Sequence, residues 1–476
     1  MTKIRLYILI AFSFVNCNSQ PTGVNLDLAG NRYYEREALL KDITVLENAL
    51  KEAHPGLYWY NSENAIDSLF SELRTSLKEK ETETDFYRKT LRLIAQINCG
   101  HTWLNASKPL SDSLWGNIAQ FPIDLRIIQG KLIYTGASYH NSIQKGNEVI
   151  SMNQILSSEI IESMMNYTIS DGFIKTGRTQ MVERRFGFYY ALLYGFQNQY
   201  KIEYKDSNNN TLQHLFTIHS NKEVGEKLMF KNIKFKTFEK QQTAYLKVTS
   251  FSDSEVDFQI QLSDIFNSLS KSKTRNLILD LRDNRGGSDA LGLRLLSYLS
   301  SDSIKEFKRM YLKTIDANVL KKHSNLQKET YNILKENTHS INDTILELKD
   351  EIGIQPFMPS KPIFEGKIYV LINGNTFSTA ADVCSILYSK DLAIFVGEET
   401  GGGYYGNTSG LFAQITFPNT KFTLRLPLVR YDTNVKELLP KGRGIIPQYQ
   451  FSETVNSVSS DTDEILDFTL QLIKIK

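Results

Sequence analysis

A short apolar segment that changes abruptly into a turn and then an amphipathic pattern lies between Ile368 and Asp382. Residues 368–372 are apolar and rich in β-branched and aromatic side chains, which is typical of a strand covered on both faces. Residues 373–375 have turn chemistry, and from Ser378 onward the apolar residues recur with a 3.6-residue period. The pattern predicts a strand, a tight turn and a helix.

Ser378 is placed by this pattern in the first turn of the predicted helix. Unpaired backbone N–H groups and the positive end of the helix dipole favour negative charge there, which suits the oxyanion formed by a nucleophilic serine. A serine before an apolar run more often caps the helix. The segment lacks a Gly-x-Ser-x-Gly elbow, so it leaves both interpretations open.

Two further buried strands are each predicted to end in a glycine-bearing loop. The strand at 276–281 leads into the loop 282–287, and the strand at 392–396 leads into the loop 397–405. Ligand sites of parallel sheets lie at the carboxyl ends of the strands. We therefore expect these two loops to converge on the turn before Ser378.

The length of 476 residues favours two or three domains. The formal net charge is only +2, and the basic residues form no isolated patch, so the composition does not indicate a nucleic-acid partner. Cys99 and Cys384 are too few for a disulfide framework and are expected to be small buried hydrophobic residues.

The N-terminus predicts export. Two basic residues precede an apolar stretch at 6–15 that is too short to span a bilayer but suits a signal peptide, here assigned to residues 1–20. Cys17 follows, so a lipoprotein-type cleavage with acylation of Cys17 would give a membrane tether. Cleavage near Gln20 without lipid is the alternative. The expected location is the periplasm or cell envelope of a bacterium.

Three regions are predicted after the leader. Residues 31–105 have helical periodicity and form a small helical domain. Residues 115–222 are β-rich and resemble a degenerate PDZ domain, although a plain β-rich spacer remains an alternative. Residues 225–476 form an α/β domain, with a polar helical insertion at about 302–357.

Three motifs in the last region resemble the signature loops of the tail-specific, or C-terminal processing, serine peptidases of family S41. They are Asp280–Gly287, Thr376–Asp382 and Gly397–Gly402. The resemblance implies an α/β fold with a ClpP/crotonase-like protease core of parallel βαβ units. It also implies a small helical domain and a PDZ-like domain before that core.

The two branches of this family differ in how the serine is activated. In the processing-protease branch a lysine does so, but here Gly403 stands where that lysine is expected. The branch that resembles the tricorn protease core uses a histidine from a short motif ahead of the PDZ-like domain, and Gly100-His101 fits that motif. A serine needs such an acceptor with a pKa near neutrality. The resemblance therefore implies Ser378 as nucleophile and His101 as base.

The resemblance also implies an oxyanion hole made by the amide of Gly286 or Gly287 together with that of Thr379. The acid that orients the histidine is not fixed. Glu437 is the nearest carboxylate before the motif at 442–447, and Glu399 is the rival.

The sequence thus predicts an exported serine endopeptidase or processing peptidase that cleaves peptides or unfolded chain ends. No metal, organic cofactor or nucleic acid is expected. A catalytically inactive peptide-binding protein with the same fold is the main alternative, and an esterase-like hydrolase using the same serine is another.

Overall fold

The computed structural model describes residues 32–118, 121–136, 143–217, 232–342, 344–349 and 353–475. The predicted leader, Cys17 included, lies outside these residues. The two remaining cysteines, Cys99 and Cys384, are buried and unpaired, as expected from their number.

The N-terminal region is built from helices with one apolar face. It contains β1 (Tyr33–Glu35), α1 (Arg36–Asn48), which continues as a π-helical turn (Ala49–Ala53), α2 (Glu63–Thr75), β2 (Lys80–Thr82) and α3 (Glu83–Gln96). Ser62 and Thr82 cap α2 and α3 through side-chain oxygens that accept backbone N–H groups. The region ends in β3 (Trp103–Asn105) and α4 (Lys108–Ile118).

An antiparallel sheet with helices follows. Its elements are β4 (Asp124–Ile128), β5 (Lys131–Gly136), β6 (Glu148–Met152), β7 (Ile155–Leu156), α5 (Ser157–Met165), α6 (Lys175–Arg184), α7 (Phe186–Tyr194), β8 (Gln199–Lys205) and β9 (Thr211–Thr217). The strand order is β4-β5-β6-β8-β9, so β4 lies at an edge of the described sheet. This is the β-rich region of the sequence, and its PDZ-like character stays a prediction.

A mostly parallel sheet forms the core of the C-terminal region. Its strands are β10 (Ile233–Phe238), β11 (Thr243–Val248), β12 (Asn276–Asp280), β16 (Lys367–Ile372), β17 (Ile394–Gly397) and β20 (Tyr449–Gln450), hydrogen-bonded in that order. Every pair from β11 to β20 is parallel. The helices on one face are α8 (Glu255–Lys271), α9 (Asp289–Ser297) and α12 (Thr379–Ser389), while α14 (Glu464–Ile475) covers the other after the short α13 (Val455–Ser460). Covered faces explain the uninterrupted apolar strands.

A second sheet packs beside this core and corrects one expectation. The segment 302–357 is not a helical insertion. It contains β13 (Phe307–Leu312), α10 (Asn318–His323), α11 (Lys328–Asn337), β14 (Thr338–Asn342) and β15 (Ile345–Leu348). The sheet joins β13, β14 and β15 to β18 (Gly406–Thr416) and β19 (Thr423–Thr433). The reason is a long-range pairing of β13 with β19, which local periodicity does not reveal.

The same sheet ties the two ends of the molecule together. β3, from the N-terminal region, pairs antiparallel with β19, with Leu104 opposite Leu424. Both leucines are fully buried. The loop that precedes β3, which carries His101, is thereby held against the C-terminal region.

Candidate active site

Ser378 lies at the junction between β16 and α12, as the sequence pattern predicts. Its backbone has φ 54° and ψ −134°, a region that residues with a side chain rarely adopt. The Ser378 side chain makes no capping hydrogen bond to the helix. The simple helix-cap interpretation is therefore not supported, and the strained turn instead presents the hydroxyl at the helix N-terminus.

The turn before Ser378 is held by the loop that follows β12. The backbone N–H of Phe377 donates to the carbonyl of Asn284 at 3.0 Å. The hydroxyl of Thr376 donates to the carbonyl of Leu281 at 2.9 Å. The two loops converge as expected for the carboxyl ends of adjacent parallel strands.

Two glycines of this second loop lie beside the serine. A side-chain carbon on Gly286 would stand only 2.7 Å from Cβ of Ser378 and 2.9 Å from the backbone N of Thr379. The N–H of Gly286 is already used, because it donates to Oδ1 of Asn284 at 2.9 Å. Among the described residues, no hydrogen bond uses the N–H of Gly287 or of Thr379. These two amides are therefore available as donors near Ser378.

The loop after β17 closes the other side of the turn. The amides of Gly401 and Gly402 both donate to the carbonyl of Thr376, at 3.0 and 3.1 Å. A side-chain carbon on Gly402 would lie 3.2 Å from the backbone N of Ser378. The third glycine-bearing loop thus reaches the same place.

Gly403, which stands where a lysine would activate the serine in the other branch, faces two residues from outside the core. A side-chain carbon on Gly403 would lie 3.4 Å from the hydroxyl of Tyr60 and 3.9 Å from Cβ of Asp171. The position therefore borders a phenol and a carboxyl group and carries no ammonium.

His101 lies close to the serine although 277 positions separate the two residues in the chain. Its ring stacks on that of Phe377, the residue before Ser378, with 4.5 Å between the ring centroids and 29° between the planes. Phe412 flanks the imidazole at 6.3 Å. Gly100 permits the approach, because a side-chain carbon there would lie 2.7 Å from the ring of Phe377.

The imidazole of His101 is 8% exposed, and among the described residues its buried Nδ1 has no hydrogen-bond partner. No hydrogen bond of the described residues joins the ring to the hydroxyl of Ser378. Burial holds the pKa of His101 well below its usual value, and the guanidinium groups of Arg425 and Arg285 lower it further. The ring is therefore neutral at physiological pH, the form that accepts a proton.

Neither glutamate that the sequence offered as an orienting acid contacts His101. Glu399 forms a two-pronged ion pair with Arg443, at 2.8 and 2.9 Å, and also accepts the N–H of Gly444. It braces the loop that follows β19. Glu437 is exposed to solvent. The structure thus supports neither as the partner of the imidazole.

One carboxyl group that sequence reasoning did not single out lies directly beside the histidine loop. Asp171, between α5 and α6, is 3% exposed, and its Oδ1 accepts the N–H of Gly100 at 2.7 Å. Burial raises its pKa to about 7, opposed by the amides of Gly100 and Gly403. The local sequence Ser170-Asp171-Gly172 reads as an ordinary turn, so no signal in it points to this position.

His54 stabilises the loop that carries His101 through a hydrogen bond to Thr102. The N–H of Gly56 donates to its Nδ1 at 3.1 Å, so the proton is on Nε2, which donates to the hydroxyl of Thr102 at 2.8 Å. Burial lowers the pKa of His54 to about 3, with Lys313 and Arg430 adding to the effect. His54 is thus a neutral structural residue.

Two cavities lead toward the serine turn. The larger, about 330 Å³, is bordered by the edge strand β4 and by α6. The smaller, about 30 Å³, is lined by Gly100 and Phe377 of the site. Arg184 and Asn375 line both, so the two cavities adjoin each other near the turn that precedes Ser378.

No group of three or more potential metal ligands lies close enough together to hold an ion in the described part of the chain. None of the helices described there is long and apolar enough to cross a bilayer.

Comparison with known families gives a match in the C-terminal region. Residues 242–451 match the model of peptidase family S41. This region is a serine-type peptidase domain of family S41. The matched region includes Ser378 and all three glycine-bearing loops, whereas His101 lies outside it. The predicted α/β fold is confirmed. No curated protein matched the sequence.

Solved structures resemble this S41 peptidase over most of its length. Mature CPAF is 16% identical, with 93% of this chain and 98% of that chain covered and a TM-score of 0.63. Mature CPAF complexed with lactacystin is also 16% identical, with 93% of this chain and 99% of that chain covered and a TM-score of 0.63. A point mutant of CPAF is 15% identical, with 92% of this chain and 98% of that chain covered and a TM-score of 0.64. At such identities the likeness establishes the fold alone.

Proposed function

We propose that this S41 peptidase is an exported endopeptidase or processing peptidase that hydrolyses peptide bonds with Ser378 as nucleophile and His101 as general base. The observation that carries the proposal is the stacking of the His101 ring on Phe377, at 4.5 Å, next to a serine held in a strained turn. The proposed base therefore packs against the residue that directly precedes the proposed nucleophile.

In this mechanism Oγ of Ser378 attacks the carbonyl carbon of the scissile bond while Nε2 of His101 takes the hydroxyl proton. The oxyanion that forms is stabilised by the N–H groups of Gly287 and Thr379. Loss of one such donor typically costs about 100-fold in rate. The proton on Nε2 then passes to the leaving amine. Water next attacks the acyl-enzyme with His101 again acting as base, which releases the acid product and restores Ser378.

A peptide-binding protein without activity is the second candidate. Two observations favour it: among the described residues, no carboxylate hydrogen-bonds to the His101 ring, and no hydrogen bond joins that ring to the Ser378 hydroxyl. Catalytic hydrogen bonds are often long without substrate and tighten in the substrate complex, so this arrangement is also compatible with an active enzyme.

Covalent labelling by a fluorophosphonate probe separates the two candidates. We expect the purified protein to be labelled, Ser378→Ala to abolish labelling and His101→Ala to slow it by at least 100-fold. Ser385→Ala, on the same helix but fully buried, and His323→Ala should label like the wild type. Absence of labelling in folded wild-type protein would favour the inactive binder.

The substrate class that we propose is an extended peptide or an unfolded chain end. The edge strand β4 and the cavity of about 330 Å³ beside it offer an elongated path to the serine turn. An unfolded protein should be cleaved much faster than the same protein in its native state. Turnover of small esters with no peptide cleavage would instead indicate an esterase-like enzyme.

Export is proposed from the leader at residues 1–20 alone. Expression in a bacterium should yield a mature protein that fractionates with the cell envelope. Incorporation of a fatty-acid label that disappears in Cys17→Ala would identify acylation, and an unmodified N-terminus near Gln20 would identify simple cleavage. Full-length protein in the cytoplasm would contradict export.

A further inference from the structure

The carboxyl group of Asp171 has one oxygen engaged and one oxygen idle. Oδ1 accepts the N–H of Gly100 at 2.7 Å. Oδ2 is buried and, among the described residues, has no hydrogen-bond partner, although the N–H of Gly403 lies near enough to the carboxyl group to oppose the rise in its pKa. A buried acceptor without a donor is unfavourable and uncommon in folded proteins. The group therefore has capacity for one more donor from its immediate surroundings.

The imidazole of His101 also lacks a hydrogen-bond partner. Its Nδ1 is also buried and unpartnered, and His101 directly follows the glycine that Asp171 already holds. Neutral imidazole carries its proton on one nitrogen only. If that proton is on Nδ1, the atom is a donor in need of an acceptor and Nε2 is left free to accept from Ser378.

The surrounding charges set the protonation of both groups. Arg425 and Arg285 face His101 and disfavour the imidazolium ion. Tyr60 and Cys99 face the carboxyl group, and Asp382 lies within electrostatic range of it. Burial raises the pKa of Asp171 to about 7, and an imidazolium ion beside it would lower that pKa and favour the carboxylate.

Given the proposed Ser378–His101 mechanism, on which this inference rests, we propose that Asp171 is the positioning residue for His101, in place of Glu399 or Glu437. Its Oδ1 fixes the histidine loop through Gly100, and its Oδ2 accepts a hydrogen bond from Nδ1–H, which keeps its proton throughout catalysis. Nε2 then takes the Ser378 proton, the carboxylate stays ionised and stabilises the imidazolium ion, and the proton leaves with the amine.

Gly403 makes room for this arrangement. A side chain at that position would lie against both Asp171 and Tyr60. The place where a lysine would act directly on the serine is thus bordered by a carboxyl group that acts through histidine. In this proposal an imidazole and an acid from two different upstream segments take the place of the activating lysine.

The test is the isosteric change Asp171→Asn. The variant keeps an oxygen for the N–H of Gly100 but loses the negative charge. We expect kcat to fall by about 10³–10⁴-fold, as when a serine-protease triad loses its acid, with KM changed less than threefold. Without the carboxylate the pKa of His101 falls, so the acid limb of kcat/KM should move to lower pH. Asp171→Glu should recover part of kcat.

The comparison variants are Glu437→Gln, which removes the rival acid, and Asp316→Asn, an exposed aspartate that matches the chemical change. Both should keep wild-type kcat. Thermal unfolding confirms that each variant is folded, and the Nδ1 proton resonance of His101 should be altered in Asp171→Asn only.

Three results would overturn the inference. A folded Asp171→Asn with wild-type kcat contradicts it while leaving Ser378-dependent hydrolysis intact. A fall in kcat with an unchanged pH profile and Nδ1 resonance assigns Asp171 a structural role in the loop only. If Glu437→Gln loses activity while Asp171→Asn stays active, Glu437 is the acid that orients His101. If the wild type shows no Ser378-dependent turnover, the proposed function itself fails.

Discussion

Leu104 pairs with Leu424 in antiparallel register, and this contact joins the histidine loop to the sheet beside the peptidase core. Both side chains are fully buried. Because His101 lies three residues before Leu104, the geometry of the candidate site depends on a strand pairing across more than 300 residues of sequence.

Leu104→Ala should therefore impair activity as well as stability. We expect a loss of about 2–5 kcal/mol in the free energy of unfolding, the usual range for a buried leucine, and slower labelling of Ser378 at temperatures where the variant is still folded. Leu438→Ala removes an exposed leucine (52% exposed) and should change neither. Denaturant unfolding and probe-labelling rates measure both effects. Normal labelling in a destabilised Leu104→Ala would show that β3 does not position His101.

Gly286→Ala should abolish activity for a steric reason. The added carbon would stand 2.7 Å from Cβ of Ser378, at a backbone φ of 91°. We expect kcat to fall at least 100-fold. Gly130→Ala is the matched control, since φ is 79° there and nothing lies within 4 Å. It carries the same backbone strain without the collision, so equal loss of activity in both variants would contradict the steric explanation.

The pH dependence of kcat/KM should reflect the depressed pKa of His101. Burial, Arg425 and Arg285 all disfavour the imidazolium ion, so the proposed base stays neutral below the usual histidine pKa of about 6.5. Arg425→Gln removes one cation. The pKa of His101 should rise, and the acid limb should move to higher pH. Arg309→Gln, at a half-exposed position, should leave the limb in place, and a shift to lower pH in Arg425→Gln would contradict the assignment.

Glu306 should make stability depend on pH in an unusual direction. It is fully buried, and among the described residues neither carboxyl oxygen has a hydrogen-bond partner. Burial, with Asp289 and Asp382 nearby, raises its pKa well above 4.5. Above that pH the unfolded chain releases a proton that the folded protein keeps, so this group's contribution to stability decreases as pH rises.

Glu306→Gln should remove that contribution. The melting temperature of the variant relative to wild type should increase between about pH 5 and pH 8. Thermal unfolding across this range measures it, with the exposed Glu329→Gln as control. A constant difference between wild type and Glu306→Gln at all pH values would show that Glu306 does not titrate differently on folding.

Gly403→Lys should not create a working serine–lysine pair. A side-chain carbon there would lie 3.0 Å from the carbonyl of Gly406 and 3.4 Å from the hydroxyl of Tyr60. We expect lower stability and no activity in the Gly403→Lys, His101→Ala double variant. Recovery of activity in that double variant would contradict this account of the two branches.

The convergence of the three loops could be predicted from sequence because it follows from local signals. Uninterrupted apolar strands imply a covered parallel sheet, and parallel strands deliver their carboxyl-end loops to one edge. The turn before Ser378 and the loop at 282–287 indeed hydrogen-bond to each other, through Phe377 and Asn284.

The partners of the histidine could not be predicted in the same way. Asp171 approaches Gly100 because its turn is bound to the residues after α3, where the N–H of Gly172 donates to the carbonyl of Asn98 at 2.9 Å. Nothing in its turn-like sequence encodes that contact. Glu399 was a candidate because it lies in a glycine-bearing loop, but it forms an ion pair with Arg443.

Strand β13 could not be predicted either, because it lies in a polar segment and its partner β19 is more than 100 residues away in sequence.

The pairing of β3 with β19 also determines how early in synthesis the proposed site can form. His101 is synthesised early, but the loop that carries it is anchored through β3 to β19, which ends at Thr433. Until nearly the whole chain has been made and has folded back on its beginning, hydroxyl and imidazole cannot meet. If Ser378 and His101 act together as proposed, a chain that is still being synthesised therefore has no peptidase activity before β19 is complete.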